Sequence, residues 1–151
     1  LQKGAHALIW GPYGKLYEPY LFQPSAQAVM IAGGIGITPF LSLLGHEAHH
    51  PLDRTTYIFY CVKNKSRADF DRELRHLSEL NPRIRYIPHY SQQMGFITLD
   101  QIKSVVGSFN NTNFFLCGPN PMMKCFITSL QQAGVKNCRI YFEDFNFIDS
   151  V

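Results

Sequence analysis

The feature that most constrains this chain is an alternation of two hydrophobic patterns running from residue 28 to residue 142. Residues 28–32, 57–62 and 113–116 are short, nearly continuous apolar runs, the signature of strands buried on both faces. Between such runs, apolar residues return every three or four positions, the spacing of one helix face. Phe40, Leu41, Leu43, Leu44 and Ala48 make one such face, and Phe70, Leu74, Leu77 and Leu80 another. Strands separated by helices pair in parallel through crossovers. The pattern therefore predicts an α/β fold in three layers: a doubly wound parallel sheet of about five strands, with helices on both faces.

Local signals set the expected boundaries. Thr38-Pro39 reads as a helix start, with Thr38 as N-cap and Pro39 at the first helical position. Ser66-Arg67-Ala68-Asp69 reads as a capping box for a helix to about Leu80, stopped by Pro82, with Asp71 and Glu73 on its exposed face. Residues 83–88 read as a short strand near an edge. Thr98-Leu99-Asp100-Gln101 looks like a second capping box, before a short helix to about Val106. Asn120-Pro121 starts a helix to about Ala133 that Gly134 closes, and residues 139–143 form the last strand. Ahead of this body, residues 5–10 read as a strand ending in the turn Gly11-Pro12-Tyr13-Gly14. Residues 15–27 carry neither period and read as a linker packed against something. The expected division is residues 1–27 as the end of another domain and residues 28–151 as the body.

Composition narrows the function classes. Of 151 residues, 46% are hydrophobic and 17% charged, enough for a core and too little charge for a disordered chain. The net charge of +3 comes without a dense Lys/Arg run, so nucleic acid is not an expected partner, while small anions remain plausible. Cys61, Cys117, Cys125 and Cys138 include no C-x-x-C pair, so no metal site is expected, and a reducing compartment fits them best. The longest apolar stretch, residues 29–44, is broken by three glycines and a proline, so no membrane span is expected in this segment. The chain starts at Leu1 without a signal-peptide pattern and reads as a piece of a longer parent, about whose membrane segments it says nothing.

In doubly wound sheets, ligands bind at the carboxyl ends of strands where the strand order reverses. That directs attention to the loops at 33–38 and 117–121. Gly33-Gly34-Ile35-Gly36-Ile37-Thr38-Pro39 has the glycines that let backbone amides approach a ligand, and a helix that follows directly favours an anion there. It is neither G-x-G-x-x-G nor a Walker loop, and a tight turn without a ligand remains the alternative. Cys117-Gly118-Pro119 places a small, polarizable residue at the opposite loop; a buried packing cysteine is the competing reading.

Three motifs and an ending in this order resemble the ferredoxin–NADP reductase superfamily over essentially the whole chain. Gly11-Pro12-Tyr13-Gly14 looks like the end of its flavin-domain barrel. Gly33 to Pro39 resembles its pyridine-nucleotide loop, and Cys117-Gly118-Pro119, with Met122 or Met123 after it, its nicotinamide loop. Phe142-Glu143-Asp144-Phe145-Asn146-Phe147 is similar to its terminal acid-x-aromatic signature. The Gly-Gly-Ile-Gly-Ile-Thr-Pro form and the aromatic-rich ending look closest to the NADPH-oxidase and ferric-reductase branch, with the oxygenase reductases a near second.

The resemblance implies roles. Gly33, Gly34, Ile35, Gly36, Thr38, Pro39, Gly118, Pro119 and Met122 would bind the nucleotide, with Thr38 near its nicotinamide end. Cys117 would lie beside the hydride-bearing carbon, Glu143 would hydrogen-bond nearby, and Phe145 would stack on the flavin, with Phe147 its rival. Tyr13 and Gly14 would be flavin-side contacts, and most of the FAD site would lie in a preceding flavin-binding domain of the same parent. The implied function is transfer of hydride from NADPH to FAD and of electrons onward to haem, on the cytoplasmic side of a membrane-bound parent. An oxygenase reductase feeding an iron–sulfur centre and a non-catalytic regulatory module are the alternatives. A phosphate-binding hydrolase lacks a nucleophile motif and a metal set.

After the second strand, Lys63, Lys65, Ser66 and Arg67 precede the first acid, Asp69. An NAD site places an acid near this strand end, whereas cations suit a 2′-phosphate. NADPH is therefore the expected cofactor and NADH the alternative; a solvated charged loop is the plain reading of the same residues. His46, His49 and His50 read as a solvated helix end, and Trp10 as interdomain packing.

Overall fold

The structure, a computed structural model, describes residues 14–23 and 25–143. The elements in chain order are α1 (Tyr17–Phe22), β1 (Gln27–Gly33), α2 (Thr38–His49), β2 (Thr55–Val62), α3 (Asp71–Leu80), β3 (Ile84–Tyr90), α4 (Ser91–Met94), α5 (Leu99–Val106), β4 (Thr112–Cys117), α6 (Asn120–Gln132) and β5 (Ile140–Glu143). Short 3-10 turns cover Gly34–Ile37, Lys65–Arg67 and Asn137–Arg139.

The five strands form one parallel sheet in the order β3-β2-β1-β4-β5. The expected doubly wound architecture is borne out, and β3 is an edge strand as its short pattern suggested. Side chains of a strand alternate between the two faces. Met30 and Ala32 pack with Phe40, Leu44 and Leu74 on the face covered by α1, α2 and α3. Val29 and Ile31 pack with Ile102, Phe126 and Leu130 on the face covered by α5 and α6. Both faces of β1 are thus covered, which is why its sequence is continuously apolar.

Four local expectations need correction. Residues 15–27 are not without structure, because α1 lies within them. Its six residues are too few for a period to show, and tertiary contacts hold it. Tyr20 is fully buried, its hydroxyl donates to the carboxylate of buried Glu47, and Arg54 donates to its backbone carbonyl at 2.6 Å. Thr38 is not the N-cap of α2. The 3-10 turn already puts Ile37 in helical conformation, so Thr38 is the first helical residue and its hydroxyl donates to the Ile35 carbonyl at 3.0 Å. The Ser66 capping box does not form. Ser66 donates to Asn64 Oδ1 at 2.7 Å inside the 3-10 turn, and α3 begins only at Asp71. Asp71 is not a free surface acid, since Arg75 and Tyr86 both donate to it at 2.8 Å.

The box at Thr98 does form: Gln101 N donates to Thr98 Oγ1 at 3.3 Å, and Thr98 N to Gln101 Oε1 at 2.9 Å. Gly134 follows α6 with a φ of +84°, as a helix-closing glycine should. No helix among the described residues is long and apolar enough to cross a membrane.

Candidate functional site

The winding reverses between β1 and β4, so the chains leaving them go to opposite faces and open a crevice at their carboxyl ends. β1 ends at Gly33, in register with Cys61 of β2; Ala32 pairs with Cys117 of β4, and Cys117 with Glu143 of β5. Gly34 has a φ of +56°, a left-handed conformation that favours glycine, and a side-chain carbon there would meet nothing within 4 Å. Its backbone is open to a ligand, and α2 starts directly after the turn, with the Thr38 N–H donating to the Ile35 carbonyl and Pro39 second in the helix.

The two loops touch through their glycines. A side-chain carbon on Gly36 would stand 2.5 Å from the carbonyl carbon of Cys117, and one on Gly118 would stand 2.9 Å from the Gly33 nitrogen. Beside this seam lies a cleft of about 730 Å³. Gly33, Gly34 and Ile35 form one wall, and Pro119, Pro121, Met122, Cys125 and Phe126 the facing one. Tyr60, Cys61, Val62 and Lys63 come from the end of β2, followed by Arg67, Asp69 and Phe70. His89, Ser91, Phe96 and Ile97 complete the lining.

The walls are mostly apolar, and the charged groups come from the single segment after β2. Burial pushes the Cys61 thiol up to about 12 and raises the Tyr60 phenol, so both are neutral wall groups. The α4 turn is tied to that segment: Gln92 N donates to the Lys63 carbonyl at 2.9 Å, and Asn64 Nδ2 to Gln92 Oε1 at 3.0 Å. His89 Nε2 lies 2.8 Å from the Gly95 carbonyl and fixes the bend that presents Phe96, which is 89% exposed.

Of the residues expected at the site, the fold brings Gly33, Gly34, Ile35, Lys63, Arg67, Pro119 and Met122 into the cleft lining. Gly36, Thr38 and Pro39 lie in the same turn and helix start without lining it, and Lys65 is exposed outside it. Cys117 is fully buried at the end of β4, with Glu143 half-buried beside it. A side-chain carbon on Gly14 would stand 3.0 Å from Glu143 Oε1, so the start of the described chain meets the end of the sheet. Tyr13, Phe145 and Phe147 lie outside the described residues.

Sequence reasoning missed Tyr60, Cys61, Phe70, His89, Phe96, Ile97 and Cys125. Only Gly95-Phe96 carried a local signal, an aromatic straight after a turn glycine; the others read as ordinary strand or helix residues. Among the described residues no group of three or more His, Cys, Asp or Glu could hold a metal ion. His46 and His50 stack on each other, with ring centres 4.7 Å apart.

The geometry agrees with what the chain resembles. Residues 30–127 match the family model of the oxidoreductase NAD-binding domain. A flavohemoprotein from Xylella fastidiosa is 26% identical over 145 residues, 91% of this chain and 36% of that protein. The anthranilate 1,2-dioxygenase electron transfer component of Acinetobacter baylyi is 29% identical over 153 residues, 95% of this chain and 43% of that protein. The flavohemoglobin of Malassezia yamatoensis, solved with bound FAD and heme, superposes with a TM-score of 0.78 at 26% identity, over 89% of this chain and 36% of that one. The chain thus spans under half the length of these relatives. With more than half of its residues inside one family model, it belongs to the oxidoreductase NAD-binding domain family.

Proposed function

We propose that this chain is the nicotinamide-nucleotide module of a flavoprotein oxidoreductase, holding NADPH for hydride transfer to an FAD carried mainly by a neighbouring domain of the same parent. One observation carries the reading: a largely apolar cleft that begins at an open glycine turn under a helix N-terminus and is lined, past β2, by Lys63 and Arg67. The residues fit the ligand. The open backbone at Gly34 and Ile35 and the start of α2 suit a pyrophosphate. Lys63 and Arg67 suit a 2′-phosphate. Phe96 and Ile97 offer apolar faces to a base.

When bound, NADPH supplies the hydride, and this chain supplies binding, alignment and exclusion of water. Cys117, buried at the end of β4, and Glu143, its register partner at the end of β5, would stand at the hydride end, where Cys117 would be the small residue under the ring and Glu143 an acceptor. Thr38 holds the glycine turn through the Ile35 carbonyl. Gly36, Gly118 and Pro39 shape the backbone on which the ligand rests. Gly14, Tyr13 and an aromatic, Phe145 or Phe147, serve the flavin side. No side-chain proton transfer is required.

The motif form of the glycine loop favours haem as the onward acceptor, in a parent of NADPH-oxidase or ferric-reductase type with this domain on the cytoplasmic side of a membrane. The 29% identity to a dioxygenase electron transfer component favours a second reading, an oxygenase reductase that feeds an iron–sulfur centre.

Calorimetric titration with NADP⁺, NAD⁺ and 2′,5′-ADP at low salt tests the proposal. Preferential binding of the 2′-phosphorylated ligands supports it. Equal binding of NAD⁺ removes the NADPH preference and keeps the nucleotide role. Binding of none of them favours a regulatory module.

A further inference from the structure

Pro119 and Met122 line the cleft, whereas Cys117, Gly118 and Glu143 do not. What separates the two regions is the seam between Gly33 and Gly118, and one flexible side chain covers it. The Met122 sulfur and methyl lie 2.9 Å and 3.0 Å from where a side-chain carbon on Gly33 would stand, and the methyl lies 2.8 Å from the same point on Gly118. Met122 sits in the first turn of α6, half-buried, and lines the cleft. The Pro119 ring also rests on Gly33, 2.7 Å from that point, but it is locked to its own backbone. Met122 is unbranched, with rotatable bonds that let it move at low cost.

A ligand anchored at Lys63 and Arg67 and too short to reach Met122 does not meet this obstacle. A dinucleotide whose second ring must reach Cys117 and Glu143 has to cross the seam. Resting on the nucleotide reading above, we infer that Met122 is a gate: its thioether covers the seam in the free protein and swings aside when the nicotinamide ring passes. A closed gate lowers the apparent affinity of any ligand that must cross, by the fraction of molecules that are open, and leaves shorter ligands unaffected. Met122 is in this sense a positioning residue that separates binding of the adenosine half from docking of the reactive half.

The test is titration of the wild type, Met122→Ala and Met122→Leu with NADP⁺ and 2′,5′-ADP, each variant checked by thermal melting. Met122→Ala should raise NADP⁺ affinity by about three- to tenfold and leave 2′,5′-ADP within about twofold. Met122→Leu keeps the volume, so it folds even where the smaller residue fails to. Its stiffer branched side chain should lower NADP⁺ affinity and leave 2′,5′-ADP unchanged. An NADP⁺ to 2′,5′-ADP affinity ratio that stays constant across all three proteins overturns the gate. So does a loss of NADP⁺ affinity in Met122→Ala, which would make Met122 a platform. If the wild type binds neither ligand, the nucleotide reading itself fails; if it binds both with a constant ratio, only the gate does.

Discussion

Gly36 and Gly118 meet so closely that a side-chain carbon on Gly36 would stand 2.8 Å from the Gly118 nitrogen, with the Cys117 carbonyl closer still. The turn after β1 and the loop after β4 are therefore locked backbone to backbone. Gly36→Ala forces one of them to move and should cost about 1–3 kcal/mol. Gly45→Ala is the control: it lies in α2 with open space around it and should be neutral or stabilising by up to about 1 kcal/mol. Denaturant unfolding of both variants checks the contrast, and equal stability would remove the claim of close approach.

Lys63 and Arg67 line the cleft and Lys65 does not. Replacing either of the first two with Ala should weaken 2′,5′-ADP binding by on the order of tenfold and leave NAD⁺ nearly unchanged. Lys65→Ala should change neither. Titration calorimetry decides this, and an equal loss in all three variants would mean that only diffuse charge matters.

Phe96 combines 89% exposure with a place in the cleft wall. Its removal should leave the melting temperature unchanged, because almost no buried area is lost. Stacking on a base is worth about 1 kcal/mol, so Phe96→Ala should weaken 2′,5′-ADP by roughly fivefold. A drop in melting temperature with unchanged affinity would make Phe96 a structural residue.

Cys125 and Cys138 are exposed, and only Cys125 lines the cleft. Cys61 keeps some surface there, but burial raises its thiol to about 12, leaving almost no reactive thiolate at neutral pH. Alkylation followed by mass mapping should modify Cys125 and Cys138 readily and Cys61 very slowly. NADP⁺ should protect Cys125 and not Cys138. Equal protection of both would argue that the ligand binds elsewhere.

Glu47 is fully buried and accepts hydrogen bonds from Tyr20 and from Thr56 Oγ1. Desolvation raises its carboxyl above the ordinary 4.5, partly offset by the Thr56 hydrogen bond and by Arg54. Below 4.5 the group is protonated in both folded and unfolded chains. As pH rises past 4.5 the unfolded chain ionises first, so Glu47 lowers stability through the window up to its raised folded value, by about 1.4 kcal/mol per pH unit of that window. Glu47→Gln lacks this dependence. Its stability relative to the wild type should improve as pH rises from 4.5 through the raised folded value, as read by denaturant unfolding. Parallel pH profiles would show that Glu47 ionises as easily in the fold as in water.

The continuous apolar runs determined the strands, because a strand covered on both faces has few positions for a polar residue, and residues 28–32 of β1 have none. The same local logic made the Thr98 capping box and the Gly134 helix stop legible, since both depend on residues a few positions apart. It also marked the glycine turn and the Cys117 loop, which follow from the ends of those strands. It failed at Thr38 and Ser66, where a 3-10 turn changed the geometry of the helix start. It failed at α1 because that helix is held by Glu47 and Arg54, far along the chain.

The tertiary structure alone decided which charges and which apolar residues line the cleft. Lys63 and Lys65 are indistinguishable in sequence, yet the 3-10 turn at Lys65 leaves one in the cleft and the other outside. Phe96, Cys61 and Cys125 share a wall because sheet order brings their elements together. Periodicity reports how one segment repeats along itself; which segments become neighbours is settled by the pairing of strands distant in sequence, and that pairing leaves no local trace in the residues it joins.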